Sequence, residues 1–219
     1  MVAEPSAALV AEITLRTLGV CLPALGISLA IGLPIGIALG HRHFAGRGAT
    51  ITLVNAGMGA PPVVVGLCVA LLLWRTGPLG SLGLMYSPRA MILAQVVIVL
   101  PLIIGITLAS SAALDPEWDL QVRALGIPSW RRLLLRVREL RLGLLAAVVA
   151  ALGGILSEVG ASQMVGGNLE GETRVLTTAI EMYTQMGRFE IAISLAAVLV
   201  GLMLLLAGLL TAVQLTGQR

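Results

Sequence analysis

The sequence predicts an all-α membrane protein of about five to six transmembrane helices, with one short helix held in solution on the cytoplasmic side. Three observations predict it. Of the 219 residues, 58% are hydrophobic and only 11% are charged. The apolar runs are far too long to be core helices of a soluble domain this size. Between two of them lies a segment, 114–141, that carries Arg123, Arg131, Arg132, Arg136, Arg138 and Arg141 and cannot sit in lipid. No polar stretch is long enough to fold as a soluble domain, so whatever energy the chain uses comes from a partner.

Taken in order, the apolar runs place helices at 8–40, 50–74, 89–113, 141–163 and 190–215. The first is long enough to tilt or bend, and Pro23 and Pro34 mark places where it can break. Glu12 and Arg16, one turn apart, are set to pair along its outer turn. Its start does not read as a cleaved signal peptide, since Glu4 stands where a positive region belongs and the apolar run is too long. Pro61-Pro62 in the second run, and Gly153-Gly154 and Gly160 in the fourth, are candidate points of bending or close helix packing. The stretch 164–189 is polar yet partly apolar, the composition of a piece that dips into the membrane and adds a sixth element.

Orientation follows from arginine, because short loops rich in Arg and Lys stay in the cytoplasm. All 14 basic residues are Arg. The loop 41–48, with Arg42 and Arg47, and the segment 114–141 belong inside. The N-terminus, the loop 75–88 and the segment 164–189 then fall outside, and Arg219 inside. A sequence pI near 9.5 fits this topology, and no basic-aromatic interleaving points to nucleic acid.

Residues that carry chemistry are few. Cys21 and Cys68 both lie in apolar runs and read as buried, inert thiols. His41 and His43 have no acid near them in sequence and mark a membrane boundary, so no metal site is expected. The chain offers no His, Cys and acid constellation for an enzyme and no cofactor motif. A secondary transporter is disfavoured in the same way, for want of matched broken helices or a carboxylate cluster. Glu158, late in the fourth run, is costly in a membrane unless paired or solvated. A structural role is expected for it, with Arg174 or a helix N-terminus as partner.

Within 114–141, Asp115, Glu117 and Asp119 at the start and Arg123 near the end suit the dipole of a short helix. Gly126 supplies its stop and Pro128 prevents continuation. A second, basic helix follows, with Ser129 as its N-cap candidate and an apolar side formed by Trp130 and 133–135. By composition alone this is either an amphipathic elbow on the inner leaflet or a docking element for a soluble partner.

The run Arg123-Ala124-Leu125-Gly126, then Ile127-Pro128-Ser129-Trp130-Arg131, resembles the cytoplasmic coupling loop of ABC importer permeases. Leu120-Gln121-Val122 stands where that family has Glu-Ala-Ala, and Arg138-Glu139-Leu140-Arg141 where the loop usually closes with Leu-Pro. Further on, Ser157-Glu158-Val159-Gly160-Ala161-Ser162-Gln163-Met164-Val165-Gly166-Gly167-Asn168 and Arg174-Val175-Leu176-Thr177-Thr178-Ala179-Ile180 resemble the same region in molybdate and tungstate permeases. The tungstate type is nearest, because both runs occur together with the non-proline ending of the coupling loop.

The resemblance implies a type I ABC importer permease fold over 8–215, with 114–141 as the coupling segment. It implies a homodimer in the cell inner membrane, two cytoplasmic ATP-binding-cassette ATPase subunits and an extracytoplasmic oxyanion-binding protein. The cargo it implies is tungstate or molybdate, with sulfate as the alternative, and no catalysis or cofactor in this chain. The ATPase contact falls on Arg123, Ala124, Leu125, Gly126, Ile127, Pro128, Trp130 and Arg131. Independently, five helices leave little room for a solvated path at their own centre, which favours one at a two-fold interface. A path must release a dianion as well as accept it, so weak donors serve better than a cage of arginines. Ser157, Ser162, Gln163, Asn168, Thr177 and Thr178, with amides near Gly166 and Gly167, are the candidates. The alternative is that the same groups bond neighbouring helices and cap turns.

Overall fold

A computed structural model describes residues 7–42 and 44–216, leaving aside the side chains of Pro116, Asp119, Arg123 and 213–216. Glu4, His43 and Arg219 therefore lie outside the described residues, as do the side chains of Asp119 and Arg123. Regular structure among the described residues is helical throughout: α1 (Ala7–His41), α2 (Arg47–Met58), α3 (Pro62–Leu73), α4 (Pro88–Ala112), α5 (Pro116–Ala124), α6 (Ser129–Glu139), α7 (Arg141–Ser157), α8 (Gly160–Gly166), α9 (Leu176–Gln185) and α10 (Phe189–Thr216), with a 3-10 turn at Gly80–Leu82. Of these, α1, α4 and α10 are long and apolar enough to cross a membrane. Counting each of the bent pairs α2–α3 and α6–α7 as one span brings the number to five.

Two of the five expected helices are not continuous. The second, expected at 50–74, is α2 and α3 meeting at 104°. Pro61 caps α3 in an extended conformation and Pro62 opens it. Two successive residues without an N–H, each disfavouring a helical predecessor, end α2 before them. The fourth, expected at 141–163, stops at Ser157. Glu158 is extended at φ −75° and ψ 123°, and the chain turns helical again only at Gly160. Just before and within 164–189, where a membrane-dipping piece is expected, lie two short helices, α8 and α9.

The first helix behaves in the opposite way, since α1 runs unbroken for 35 residues through both Pro23 and Pro34. Its length is about 52 Å at 1.5 Å per residue, more than the roughly 30 Å of hydrocarbon it crosses. Along its length it packs against α4. The small residues Ala24, Ser28, Gly32, Gly36 and Gly40 recur every fourth position, on one face. A Cβ on Gly32 would stand 2.7 Å from Ile103 Cγ2, and one on Gly36 only 2.6 Å from Thr107 Cβ, while Gly40 meets Ser111. Partners ascend together in number, so α1 and α4 run parallel. Helices in lipid gain no hydrophobic drive from each other, and close backbone approach over small residues supplies the dispersion contacts that hold them. The Ser111 hydroxyl adds a bond to the Ile37 carbonyl at 3.2 Å.

Around this pair the remaining helices close a core at Met91, Ala94, Val69, Ala161 and Val165 and a second at Ile103, Ala151, Leu152 and Ile155. Cys21 is buried, as expected, whereas Cys68 is exposed on α3. In α10 most of the surface is uncovered, with Ile193, Val200, Leu204 and Leu209 exposed. That pattern suits a helix bordered by lipid.

Candidate functional site

Two regions stand out, one at each end of the α6–α7 unit. The first is the polar turn. α5 is started by Asp115, whose Oδ1 accepts the Glu117 N–H at 2.8 Å, and its last turn closes with the Leu125 N–H donating to the Gln121 carbonyl. Gly126 follows at φ +67°, a left-handed position that glycine takes without Cβ strain. The cap of α6 is Pro128, at φ −64° and ψ 152°, so Ser129 is the first helical residue and not the cap. Proline's fixed φ already matches the cap geometry, and the Ser129 hydroxyl instead accepts from Arg132 Nη2 at 3.3 Å.

α5 is tied to α6 by the Arg136 guanidinium, 5.4 Å above the Trp118 ring, and Arg131 covers Trp130 at 5.0 Å. On the outer side the turn presents apolar groups to solvent. Leu125 is 75% exposed and Trp130 61%, beside a groove of about 720 Å³ lined by Ile127, Leu134, Val137 and Arg138. An exposed apolar patch rimmed by arginines on a segment that cannot enter lipid is a surface suited to a partner protein. Ala124 and Pro128 are exposed on the same turn.

The second region is the break between α7 and α8. Glu158 is 7% exposed. Its Oε1 accepts the Ala161 N–H at 2.8 Å, and its carbonyl accepts the Thr177 hydroxyl at 2.9 Å. Of the two partners expected for this acid, the helix start is the one found. Arg174 pairs with Glu170 at 3.2 Å instead, and Glu12 pairs with Arg16 at 2.7 Å as expected.

This break meets the other one. A Cβ on Gly160 would lie 2.7 Å from Val63 Cγ2, and one on Gly66 2.6 Å from the Ala161 Cα, so the starts of α3 and α8 are pressed together.

The polar residues of 157–178 separate into two sets. Ser157 and Gln163 are exposed, the Ser157 hydroxyl donating to the Gly153 carbonyl at 2.8 Å. Ser162, Gly166, Thr177 and Thr178 are buried in this chain, and Thr178 Oγ1 both donates to and accepts from Val175 at 3.2 Å. Between the sets, Gly167 and Asn168 form consecutive left-handed residues at φ +72° and +52°. Gly167 lies against the Tyr86 ring, and Asn168 Oδ1 and the Ser162 hydroxyl are buried without a hydrogen-bond partner.

Sequence reasoning missed two residues that hold this region. The Thr173 hydroxyl donates to the Gly166 carbonyl at 2.6 Å and accepts the Leu169 N–H at 2.9 Å, and Thr17 reaches Leu176 from α1. Thr17 is one of two threonines, with Thr14, early in the first run, and its partner lies too far along the chain to be read from spacing.

Bent spans, an internal helix break and a polar turn that exposes apolar side chains fit a transport subunit. The chain belongs to the family of inner membrane components of binding-protein-dependent transport systems, whose model matches residues 32–215. It is a permease of the ABC transporter class, a transport component and not an enzyme. It is 40% identical over 198 residues to a probable anion ABC transporter permease protein of Haloferax volcanii, covering 88% of this chain and 85% of that one. It is also 40% identical over 176 residues to the tungstate uptake system permease protein TupB of Peptoclostridium acidaminophilum, covering 80% and 77%. Against the molybdenum transport system permease protein ModB of Haemophilus influenzae the identity is 24% over 177 residues, 77% of each chain.

Proposed function

We propose that this permease forms a homodimer that imports a tetrahedral oxyanion, tungstate in preference to molybdate. The observation that carries the cargo is 40% identity over four-fifths of the chain with a permease named for tungstate uptake, against 24% with one named for molybdenum transport. Residues 8–215 act as one transport domain. Two ATPase subunits dock on the coupling segment 114–141, through the turn from Arg123 to Arg131, and a binding protein delivers the anion to the opposite face.

The exposed Ser157 and Gln163, and the backbone near Gly166–Asn168, line the path between two copies, where hydroxyl and amide donors hold a dianion weakly enough to release it. Ser162, Thr177 and Thr178 form the wall behind them. Support for this division comes from exposure, since Ser157 and Gln163 face out of the single chain at the helix break while the other three are packed within it.

The test is ATP hydrolysis by the complete complex in proteoliposomes, with its cognate ATPase and binding protein, titrated with tungstate, molybdate and sulfate. Stimulation at the lowest concentration by tungstate is expected. Stimulation by sulfate alone overturns the cargo.

A further inference from the structure

We propose that Glu158 is the positioning residue of the translocation path, holding α8 in place by its reach as a hydrogen-bond acceptor and not by its charge. The inference rests on the transport reading above. A helix that stops and restarts inside a membrane leaves N–H and C=O groups with no water to take them, and Glu158 answers for both sides of this break. Its carboxylate oxygen takes the Ala161 N–H, and its carbonyl takes the Thr177 hydroxyl. One residue thus joins the end of α7, the start of α8 and the start of α9.

α8 has a single seat. Gly160 has no space for a side chain because Val63 fills it, and Gly66 admits the Ala161 backbone on the other side. With the carboxylate bond in place α8 sits in that seat and Gln163 is held outward, where the path runs. Without it the Ala161 N–H at the α8 start loses its partner, and α8 keeps only its core packing and the bonds near its end, from the Tyr86 N–H to the Val165 carbonyl and from the Thr173 hydroxyl to the Gly166 carbonyl.

The carboxylate itself is withdrawn from the surface, since Glu158 is 7% exposed while Ser157 and Gln163 beside it are exposed. A negative charge aimed into the path would repel an anion. Buried acceptor geometry and an anionic cargo therefore agree that the useful property is the oxygen atom and its reach, a property that glutamine shares.

The experiment compares Glu158→Gln, Glu158→Asp and Glu158→Ala in the complete complex in proteoliposomes. Two readouts are taken: uptake of radiolabelled tungstate, and the line shape of a nitroxide at Gln163→Cys in a Cys68→Ser background. Glu158→Gln keeps the acceptor and should keep kcat and KM for uptake within about twofold. Glu158→Asp keeps the charge without the reach, and Glu158→Ala keeps neither. Both should lose about tenfold or more in kcat with KM little changed, because a displaced wall slows passage without altering delivery by the binding protein. The nitroxide should be more mobile in these two variants and unchanged in Glu158→Gln.

The proposal is overturned if aspartate supports transport and glutamine does not, or if all three variants give the wild-type line shape. Should the wild-type complex transport none of the oxyanions, the cargo assignment fails alone, and the nitroxide ranking still decides the role of Glu158.

Discussion

Thr17 and Leu176 stand 159 positions apart and share a buried hydrogen bond, the Leu176 N–H donating to Thr17 Oγ1 at 2.9 Å. The same hydroxyl donates to the Ile13 carbonyl at 2.7 Å, so its single proton and one lone pair are both used. The bond anchors the start of α9 to α1, and Arg16 Nη1 reaches the Arg174 carbonyl at 3.5 Å beside it. α9 in turn carries Thr177, which holds Glu158.

Replacing Thr17 by valine conserves shape but removes the acceptor, leaving the Leu176 N–H buried and alone. The expected cost is about 1–3 kcal/mol, read as a lower thermal unfolding midpoint of the detergent-solubilised protein. Thr17→Ser should retain most of the stability. Equal midpoints for valine and wild type count against the anchor.

Gly36 is one of three tight points described between α1 and α4, with Gly32 and Gly40, and Gly36→Leu should separate the pair. Inserting a side chain where a Cβ already meets Thr107 at 2.6 Å costs about 1–3 kcal/mol or more. Fluorescence-detected size exclusion should show loss of the monodisperse species. Gly19→Ala is the matched control, since a Cβ there meets nothing within 4 Å.

Gly126 holds the turn between α5 and α6 at φ +67°. A β-branched residue in that conformation carries roughly 1–2 kcal/mol of strain, which the turn relieves by changing shape. Gly126→Val should leave the permease folded, since a Cβ there meets no neighbour, yet reduce binding-protein-stimulated ATP hydrolysis several-fold. Unchanged stimulation together with unchanged ATPase assembly contradicts the docking assignment.

Topology is tested by single cysteines on a background with Cys68 replaced by serine, because Cys68 is exposed. Ser129→Cys should resist an impermeant maleimide in intact cells and react after the membrane is opened, whereas Gly171→Cys should react from outside. Labelling of position 129 in intact cells overturns the orientation read from the arginines.

The helical class, the three unbroken spans and the turn at Gly126 were legible because each has a local cause: apolar length, or a glycine followed by a proline. The breaks were less legible. Pro61-Pro62 is legible in the sequence as a point of bending or close packing, but the 104° angle and the close approach of α3 to α8 are not recorded by spacing along the chain. Pro23 and Pro34 are single prolines, and α1 runs through both without a break while packed along α4. Glu158 was recognised as structural from its cost in a membrane, but its partner was decided by three-dimensional packing. Ser129 shows the limit of a local rule, since a capping residue loses to a proline that already has the capping conformation.

The stripe of small residues on α1 also orders events in time. Its partner surface belongs to α4, which is synthesised only after α2, the bend and α3. Until then Gly32, Gly36 and Gly40 face lipid with no side chain of their own to fill the gap, and the two prolines in α1 lack their α4 neighbour. The first span therefore gains its final shape only after the third has been made. A nascent chain halted before Pro88 should leave α1 waiting in the membrane for a mate, dependent on the insertion machinery or on lipid to cover it.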